Sequence, residues 1–379
     1  MGAAGEDAAA AVGMRAAVKR LNFGTAEERA EAAAEVGRLA QSDERRKRLL
    51  PELGVVPPLV SMLADDVEGS PGARAAAAGA LLELARGAHR NKVHIVQAGL
   101  LKKLPLLMDD KDLSRSYQLA LLLLSVSSLA NTDFPLASSE LLPFLVAVLS
   151  ADEAPADTKL TCMTALHNLS TKLEHVRDVV SSGAVHALLA LSLDRKTSEA
   201  ALSILGDLAA SAAGRKEMED DEMAPRALVE VMTWHESTRC QDLATYLAMV
   251  LAHGSRLQRR RMHQLGVVQV LLEVSLLGTP LAQKRAAKIL QWFKDDGQSR
   301  IRAHSGPRME GASCHGSDVG GDADADGRGD KDCRNAVDRI VKQSLDRNMK
   351  SILRRGTASV DMTNVKLLVG SSSSKSLPC

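Results

Sequence analysis

A short pattern of apolar and small residues recurs six times along the chain. It consists of a small or turn-forming residue, two mostly apolar residues, two spacers and a leucine. The residues that open the pattern, here called anchors, are Gly54, Gly99, Glu140, Gly183, Met223 and Gly266. Successive anchors lie 40 to 45 residues apart, which is the period of stacked helical repeats. The pattern therefore predicts an array of similar helical units.

Two further positions after each anchor indicate which face of the following helix is buried. Five residues after the anchors stand Leu59, Leu104, Leu145, Leu188, Leu228 and Leu271. Eight residues after them stand Met62, Leu107, Val148, Leu191, Val231 and Val274. Offsets of one, two, five and eight residues lie on one side of an α-helix, so we expect these side chains in the core. Glycine at four of the six anchors predicts a turn with positive φ before this helix.

A second, alanine-rich helix is predicted upstream of each anchor. It ends in the pairs Leu39-Ala40, Leu84-Ala85, Leu129-Ala130, Leu169-Ser170, Leu208-Ala209 and Leu251-Ala252. Three positions before each leucine stand Val36, Leu81, Val126, Leu166, Leu205 and Ala248. Thr25 and Glu28 predict a capping box at the first repeat helix, and residues 281–295 predict a last, basic helix that covers the other end. We therefore expect six repeats plus a capping half-repeat.

The composition agrees with an all-α protein and excludes several kinds of partner. Aromatic residues make up only 2% of the chain, which favours helices packed through small and aliphatic side chains. The net charge of +1 gives no reason to expect a nucleic acid as partner. The five cysteines lie far apart in a long chain, which argues against a disulfide framework, and they form no CxxC pair that would indicate zinc. No apolar run approaches the roughly 20 residues that span a bilayer, so we expect no membrane insertion.

Motifs that carry catalytic chemistry are missing from the sequence. It contains no HExxH, GxSxG, P-loop or glycine-rich dinucleotide fingerprint, so we expect no cofactor, no metal and no enzymatic activity. The segment DADADG at 322–327 begins like a calcium-binding loop, but its twelfth position is Cys333, where a bidentate Glu is required. Basic clusters at 45–48 and 259–261 are interpreted as solvated charge on short segments between helices, the alternative being a nuclear localisation signal or an anion-binding patch.

The repeats resemble those of plant armadillo-repeat proteins, especially the armadillo region of U-box-type proteins. The resemblance is carried by TALHNLSTKLEHVRDVVSSGAVHALLALSL at 164–193 and extends over about residues 25–296. It implies an all-α fold, a right-handed superhelical solenoid of armadillo repeats. Only an alanine-rich leader, residues 1–24, precedes the repeats, so we expect the U-box to be absent. The resemblance then implies a substrate-holding or adaptor role.

The resemblance also implies where a partner binds. In armadillo proteins the helix that ends in Leu-Ala or Leu-Ser lines a concave groove, and the residue before this leucine is often an Asn that holds an extended peptide. That residue is here Arg38, Glu83, Ser128, Asn168, Asp207 and Val250 in the successive repeats. Only Asn168 matches, and no Trp stands four residues earlier as it does in import receptors. We expect a partner with polar or basic character at Glu83, Asn168 and Asp207, the alternative being that these side chains are only solvated.

The repeat periodicity ends at Asp296, and three segments are predicted beyond it. Residues 297–332 are rich in Gly, Asp and Ser, which predicts a disordered linker. Apolar residues return at helical spacing within 333–356 and predict one basic amphipathic helix, which either packs on the solenoid or binds a partner or a membrane surface. Residues 357–379 predict a flexible, Ser-rich tail.

Two functional hypotheses follow from the sequence. The first is a monomeric, non-catalytic scaffold or adaptor in the cytoplasm or nucleus that binds a protein segment in the concave groove, with a link to ubiquitin-dependent turnover or signalling. The second is a component or truncated form of a U-box E3 ubiquitin ligase, in which the repeats form the substrate-recognition arm. A ubiquitin-ligation assay distinguishes the two.

Overall fold

The structure is a computed structural model and describes residues 3–64, 71–108 and 116–304. These residues form 19 α-helices and one short 3-10 helix, and no β-strand occurs among them. The chain separates into two compact units, of which the first ends at Leu265 and the second begins at Gly266. The prediction of an all-α fold is confirmed.

The first unit contains helices α1 to α17. In chain order they are α1 (Ala3–Phe23), α2 (Ala26–Ser42), α3 (Glu44–Glu52), α4 (Val56–Ala64), α5 (Pro71–Ala85), α6 (His89–Gln97), α7 (Leu100–Met108), α8 (Tyr117–Ser127), α9 (Ser138–Ser150), α10 (Ala156–Ser170), α11 (Leu173–Ser181), α12 (Ala184–Leu191), α13 (Ser198–Ala209), α14 (Ala212–Asp220), α15 (Met223–Met232), α16 (Thr238–Gly254) and α17 (Arg256–Gln264). The 3-10 helix, Ser128–Asn131, directly follows α8.

The helices of the first unit belong to three series that repeat along the chain. The long helices are α2, α5, α8, α10, α13 and α16, and each packs against the next one in this order. The second helices, α4, α7, α9, α12 and α15, stack in the same way, and the first helices are α3, α6, α11, α14 and α17. The long helices and the second helices thus bury their apolar sides against their neighbours in adjacent repeats. The predicted stacking of repeats is confirmed.

The core includes the positions that the repeat pattern predicts. The leucines five residues after the anchors are all fully buried, and the residues eight after them are at most 7% exposed. The apolar residues from Val36 to Ala248 that precede the Leu-small pairs are also fully buried. Leu39 differs from the other leucines of these pairs because it is only half-buried. It belongs to the first long helix, which has α1 instead of another long helix on one side.

The four glycine anchors adopt the left-handed backbone conformation that the sequence predicts. Their φ angles are +82° at Gly54, +92° at Gly99, +81° at Gly183 and +77° at Gly266. A Cβ atom added at any of them would meet no atom within 4 Å. Glycine is therefore required at these anchors by backbone conformation, since space is available for a side chain.

Replacing Gly183 by Ala is expected to lower the free energy of unfolding of the first unit by about 1–2 kcal/mol, because an L-residue in the left-handed region is strained. Urea denaturation followed by circular dichroism measures this loss. Gly13→Ala is the matched control, because Gly13 also has open space around its Cβ position but lies within helix α1 without a positive φ. Equal effects of the two substitutions would contradict the explanation by backbone strain.

The third repeat lacks its first helix. Residues 132–137, between the 3-10 helix and α9, are not helical. They include Pro135, which has no backbone N–H to donate within a helix. The buried Ser138 at the start of α9 instead donates its hydroxyl proton to Asp178 Oδ2 at 2.6 Å and lies 3.1 Å from His175 Nδ1. Side chains of α11 thus connect the third repeat to the fourth.

Helix α1 lies within the residues that the sequence assigns to an alanine-rich leader. Its Met14, Ala17 and Leu21 are buried, and α1 packs against α2. Thr25 caps α2, because its Oγ1 accepts a hydrogen bond from the Glu28 N–H at 3.3 Å while its own N–H donates to Glu28 Oε2 at 2.8 Å. The predicted capping box is confirmed.

The described part of the second unit is a pair of helices. These are α18 (Val267–Leu277) and α19 (Pro280–His304), which pack against each other. The buried side chains of the pair include Leu271, Val274, Ala282, Ala286 and Ile289. Helix α19 continues beyond Asp296, where the repeat periodicity ends, so that residues 297–304, which the sequence assigns to the linker, are helical.

Several predicted segments lie outside the described residues. They are the remainder of the linker after His304, the helix at 333–356, the tail at 357–379 and the DADADG segment. Among the helices that the structure does describe, none is both long and apolar enough to cross a membrane.

Candidate functional site on the long helices

The six predicted groove positions fall on successive long helices or directly after one. They are Arg38 on α2, Glu83 on α5, Ser128 after α8, Asn168 on α10, Asp207 on α13 and Val250 on α16. Because the long helices stack in chain order, these positions form a row across them, here called the long-helix row. Arg38 is exposed and the other five are half-buried. Packed helices are about 8–10 Å apart, so one extended segment can contact several members.

Arg38 and Glu83 line the same depression, which has a volume of about 370 Å³. Small residues of α2 and α5 form most of its surface, and Gln118 of α8 contributes to one side. Among them are Ala34 and Gly79, which stand at the positions where import receptors carry tryptophan. The lack of large side chains at these two positions leaves the depression open.

Glu83 already has an ionic partner in its own repeat. Its Oε1 lies 3.1 Å from Nη1 of Arg86, and its side chain is only 18% exposed. Arg86 directly follows α5 and is much more exposed, at 57%. A basic group of a partner would therefore compete with Arg86 for this carboxylate, which weakens the attraction that the sequence alone suggests.

Ser128 is bound by a lysine from an earlier helix. Lys92 of α6 donates from Nζ to Ser128 Oγ at 2.8 Å, and this hydroxyl donates to the Ser125 carbonyl at 2.7 Å. Lys92 is half-buried, and this burial lowers the pKa of its ammonium group below the ordinary value. The third position of the row is thus a serine whose hydroxyl accepts a hydrogen bond from an ammonium group.

Asn168 and Asp207 both interact with neighbouring helices. Asn168 Nδ2 donates to Oγ of the buried Ser127 at 3.0 Å, which connects α10 with α8. Asp207 Oδ2 lies 3.1 Å from Nδ1 of His167, which connects α13 with α10. The two side chains of this second pair are 43% and 41% exposed. The centre of the long-helix row is therefore positioned by contacts between repeats and still reaches solvent.

The last long helix presents apolar and aromatic groups. Val250 is half-buried and offers no hydrogen-bonding side chain. Tyr246, four residues earlier, is half-buried, and its Cε1 would lie 3.9 Å from a Cβ atom added at Gly206 of α13. Glycine at 206 therefore leaves room beside the tyrosine ring. This part of the row differs in chemistry from its charged beginning.

Sequence reasoning missed a series of basic residues at the fourth position of the first helices. Lys47 donates to the Arg86 carbonyl at 3.2 Å, and Arg215 donates to the Ala209 carbonyl at 2.8 Å. Arg259 donates to the Ala252 carbonyl. The accepting carbonyls are at the carboxyl ends of long helices, where a positive charge is stabilising. Alignment of the repeats with one another shows a basic residue there in four of the five first helices, and could have revealed the series.

The prediction that both basic clusters lie between helices is wrong, although Arg45, Arg48 and Arg260 are exposed as expected for solvated charge. Residues 45–48 lie within α3 and residues 259–261 lie within α17. Lys47 is only 6% exposed, and besides its carbonyl contact it donates to Glu44 Oε1 at 2.7 Å. The charge of Lys47 is therefore part of the packing between repeats.

Buried amide side chains also connect the first helices. Asn91 Nδ2 of α6 donates to the carbonyls of Lys47 at 3.1 Å and Leu84 at 2.9 Å. Gln258 of α17 donates in the same way to the Glu219 carbonyl of α14. Buried polar groups require such partners, so these residues have a structural role.

The described residues include types of side chain that occur in catalytic or metal sites, namely a buried cysteine and a group of Ser, His and Asp. No group of three or more His, Cys, Asp or Glu side chains in this part of the chain is arranged to bind a metal ion. Burial raises the pKa of the Cys162 thiol to about 12, which keeps it protonated and unreactive. Ser138 directs its proton to Asp178 and not to His175, so the histidine is not placed to activate it as a nucleophile.

Comparison with known proteins identifies relatives over most of the chain. U-box domain-containing protein 45 of Arabidopsis thaliana is 27% identical over 261 residues, which are 68% of this chain and 33% of the relative. U-box domain-containing protein 7 of the same plant is 29% identical over 183 residues, which are 47% of this chain and 23% of the relative. The aligned region of this chain thus spans a third or less of these relatives.

Solved armadillo structures are more distant in sequence. A designed armadillo repeat protein in complex with the peptide (KR)4 is 18% identical, with 74% of this chain and 99% of that chain covered at a TM-score of 0.43. A computationally designed armadillo repeat protein for modular peptide recognition is also 18% identical, with the same coverage and a TM-score of 0.42.

A protein-family match covers most of the described residues. The family is the plant U-box protein ARM repeat region, and its sequence model matches residues 14–303. The matched region begins within α1 and ends within α19. This chain therefore belongs to the family of plant U-box protein armadillo-repeat regions.

Proposed function

We propose that the first unit binds an extended segment of another protein along the long-helix row, and that the chain acts as a non-catalytic scaffold or adaptor. The observation that carries this proposal is the row itself, in which side chains able to recognise a partner recur on successive stacked helices. A rigid row of this kind matches the repeating backbone of an extended chain. We place the protein in the cytoplasm or nucleus.

The chemistry of the row supports a polar protein segment as the partner. Half-exposed Asp207 offers a carboxylate, and Asn168 offers an amide oxygen while its Nδ2 is bound to Ser127. The depression beside Arg38 and Glu83 offers space for a side chain. These groups differ from repeat to repeat, so the segment would be selected by its sequence as well as by its extended backbone.

The variant Asp207→Lys combined with Asn168→Ala tests the proposal. Peptides selected from a displayed random library on the full wild-type chain are the probe, and their dissociation constants are measured for both proteins. We expect the double variant to bind them roughly tenfold or more weakly, because two contacts near the centre of the row are lost. Circular dichroism and the melting temperature should remain unchanged.

Glu230→Lys is the control for charge reversal. Glu230 is an exposed carboxylate on α15, which is a second helix and not part of the row. This control should bind the selected peptides as the wild type does. Unaltered peptide binding by the double variant, or an equal loss of binding in the control, would contradict the proposal.

The family match favours one second candidate, the substrate-recognition arm of a U-box ubiquitin ligase. In that case the segment bound in the row would belong to a protein that is ubiquitinated. Purified chain is incubated with ubiquitin, activating enzyme and conjugating enzymes, without another ligase. Ubiquitin transfer would favour the ligase candidate, whereas its absence together with peptide binding favours the scaffold.

A further inference from the structure

Lys47 and Lys92 occupy equivalent positions but differ in their ionic partners. Each is the fourth residue of a first helix, and each donates from Nζ at the carboxyl end of a long helix. Glu44, three residues before Lys47, accepts a hydrogen bond from its Nζ at 2.7 Å. The corresponding residue before Lys92 is His89. Among the described residues no carboxylate forms an ion pair with Lys92.

With no counter-ion among the residues that the structure describes, Lys92 carries a positive charge that is only partly solvated. Burial of Lys92 disfavours its charged form, which is the cause of its lowered pKa. The carboxyl end of α8 compensates this charge only partly, because a helix terminus carries about half an elementary charge. Partly buried charges are normally paired, so an anion at Lys92 would be stabilised.

The hydrogen bonds around Lys92 leave donors for such an anion. Ser128 Oγ accepts from Lys92 and directs its own proton to Ser125, so it holds the ammonium in place. An ammonium group has three N–H donors, and one of them is used here. Ser128 is the third member of the long-helix row, so the remaining donors are next to the path of a segment bound there.

We propose that Lys92, held by Ser128, binds the side-chain carboxylate of an acidic residue in the segment that occupies the long-helix row. This inference rests on the proposed function and names one feature of its ligand. A single ammonium group matches the single negative charge of a carboxylate, whereas a phosphorylated side chain carries −1.5 to −2 charges. In the segment, the acidic residue would lie between the group that contacts Glu83 and the group that contacts Asn168.

The test uses a random library of displayed peptides selected on the full wild-type chain. We expect the selected peptides to share an Asp or Glu at one position. Lys92→Gln should bind them roughly tenfold more weakly, since a hydrogen bond to a charged group is lost. Changing the shared Asp or Glu to its amide should produce the same loss, and the two changes together should produce no further loss.

Two further variants separate recognition of the anion from a role in folding. Lys92→Arg keeps the charge and should keep most of the preference for acidic peptides. If Lys92 had only a structural role, its substitution would weaken the binding of acidic and neutral peptides alike. Lys102→Gln removes an exposed lysine of α7 and should bind as the wild type does. Melting temperatures of all variants show whether the fold is intact.

Each result of the selection has a definite meaning. If the selected peptides show no preference for acidic residues and bind the Lys92→Gln variant as they bind the wild type, the anion site is overturned. The proposed function still stands in that case if the double variant of Asp207 and Asn168 binds these peptides more weakly. Acidic peptides that depend on Lys92 but not on Asp207 and Asn168 support the anion site and overturn the proposed function. A phosphoserine peptide that binds tenfold better than its Asp counterpart overturns the carboxylate assignment. Failure to select any peptide overturns both proposals.

Discussion

Replacing Leu188 by Ala is expected to lower the free energy of unfolding of the first unit by about 2–5 kcal/mol. Leu188 is fully buried on α12, whose neighbours in the layer of second helices are α9 and α15. It is one of the leucines that stand five residues after an anchor. Truncation leaves a cavity that the stacked helices on both sides cannot readily fill, because each is held by its own repeat.

Urea denaturation followed by circular dichroism measures the effect of Leu188→Ala. The control is Leu173→Ala in the same repeat, because Leu173 at the start of α11 is 81% exposed. The control should change the free energy of unfolding by less than about 0.5 kcal/mol. If the two substitutions had similar effects, the repeat leucines could not be the main source of stability.

Gly214→Ala should destabilise the first unit by about 1–3 kcal/mol or more, because the new methyl group has no space. Gly214 lies in α14, and a Cβ atom added to it would be 2.2 Å from the Leu208 carbonyl oxygen and 2.7 Å from its carbon. These are backbone atoms at the end of α13 and cannot move away as a flexible side chain would. The tight turn between α13 and α14 would have to open.

Gly206→Ala is the matched control for this substitution. Gly206 lies within α13, and its added Cβ would meet only Tyr246 Cε1, at 3.9 Å. Alanine is the better helix former, so this variant should be unchanged or more stable by about 0.5–1 kcal/mol. Thermal and urea denaturation of both variants provide the comparison. A Gly214→Ala protein as stable as Gly206→Ala would contradict the steric explanation.

Glycines illustrate how far a sequence pattern predicts structure. Gly183 could be predicted to have a positive φ because it recurs at an anchor in successive repeats. Gly214 has no counterpart of this kind, since the equivalent residues of α6 and α17 are Asn91 and Gln258. Its requirement for glycine arises from the close approach of the Leu208 carbonyl, which depends on how two helices meet.

The candidate site also combines features that the sequence predicts with features that it does not predict. Repeat spacing predicted equivalent positions for Ser128 and Asn168 on successive long helices. The structure has Asn168 on α10, whereas Ser128 directly follows α8 as the first residue of the 3-10 helix. Repeat spacing could not predict that Ser128 accepts a hydrogen bond from Lys92, 36 residues earlier, or that Asn168 donates to Ser127. These partners come from other repeats, so they depend on the rotation and offset between neighbouring helices.

The sequence by itself determined the helical class, the repeat period, the buried leucines and the glycine turns of this protein. These features follow from local backbone preferences and from a periodicity that places apolar residues on one side of each helix. Only the tertiary structure decided that the third repeat lacks its first helix, that Lys47 has a carboxylate partner and that no described carboxylate pairs with Lys92. Such details depend on distances between atoms of different repeats, which a repeat pattern does not contain.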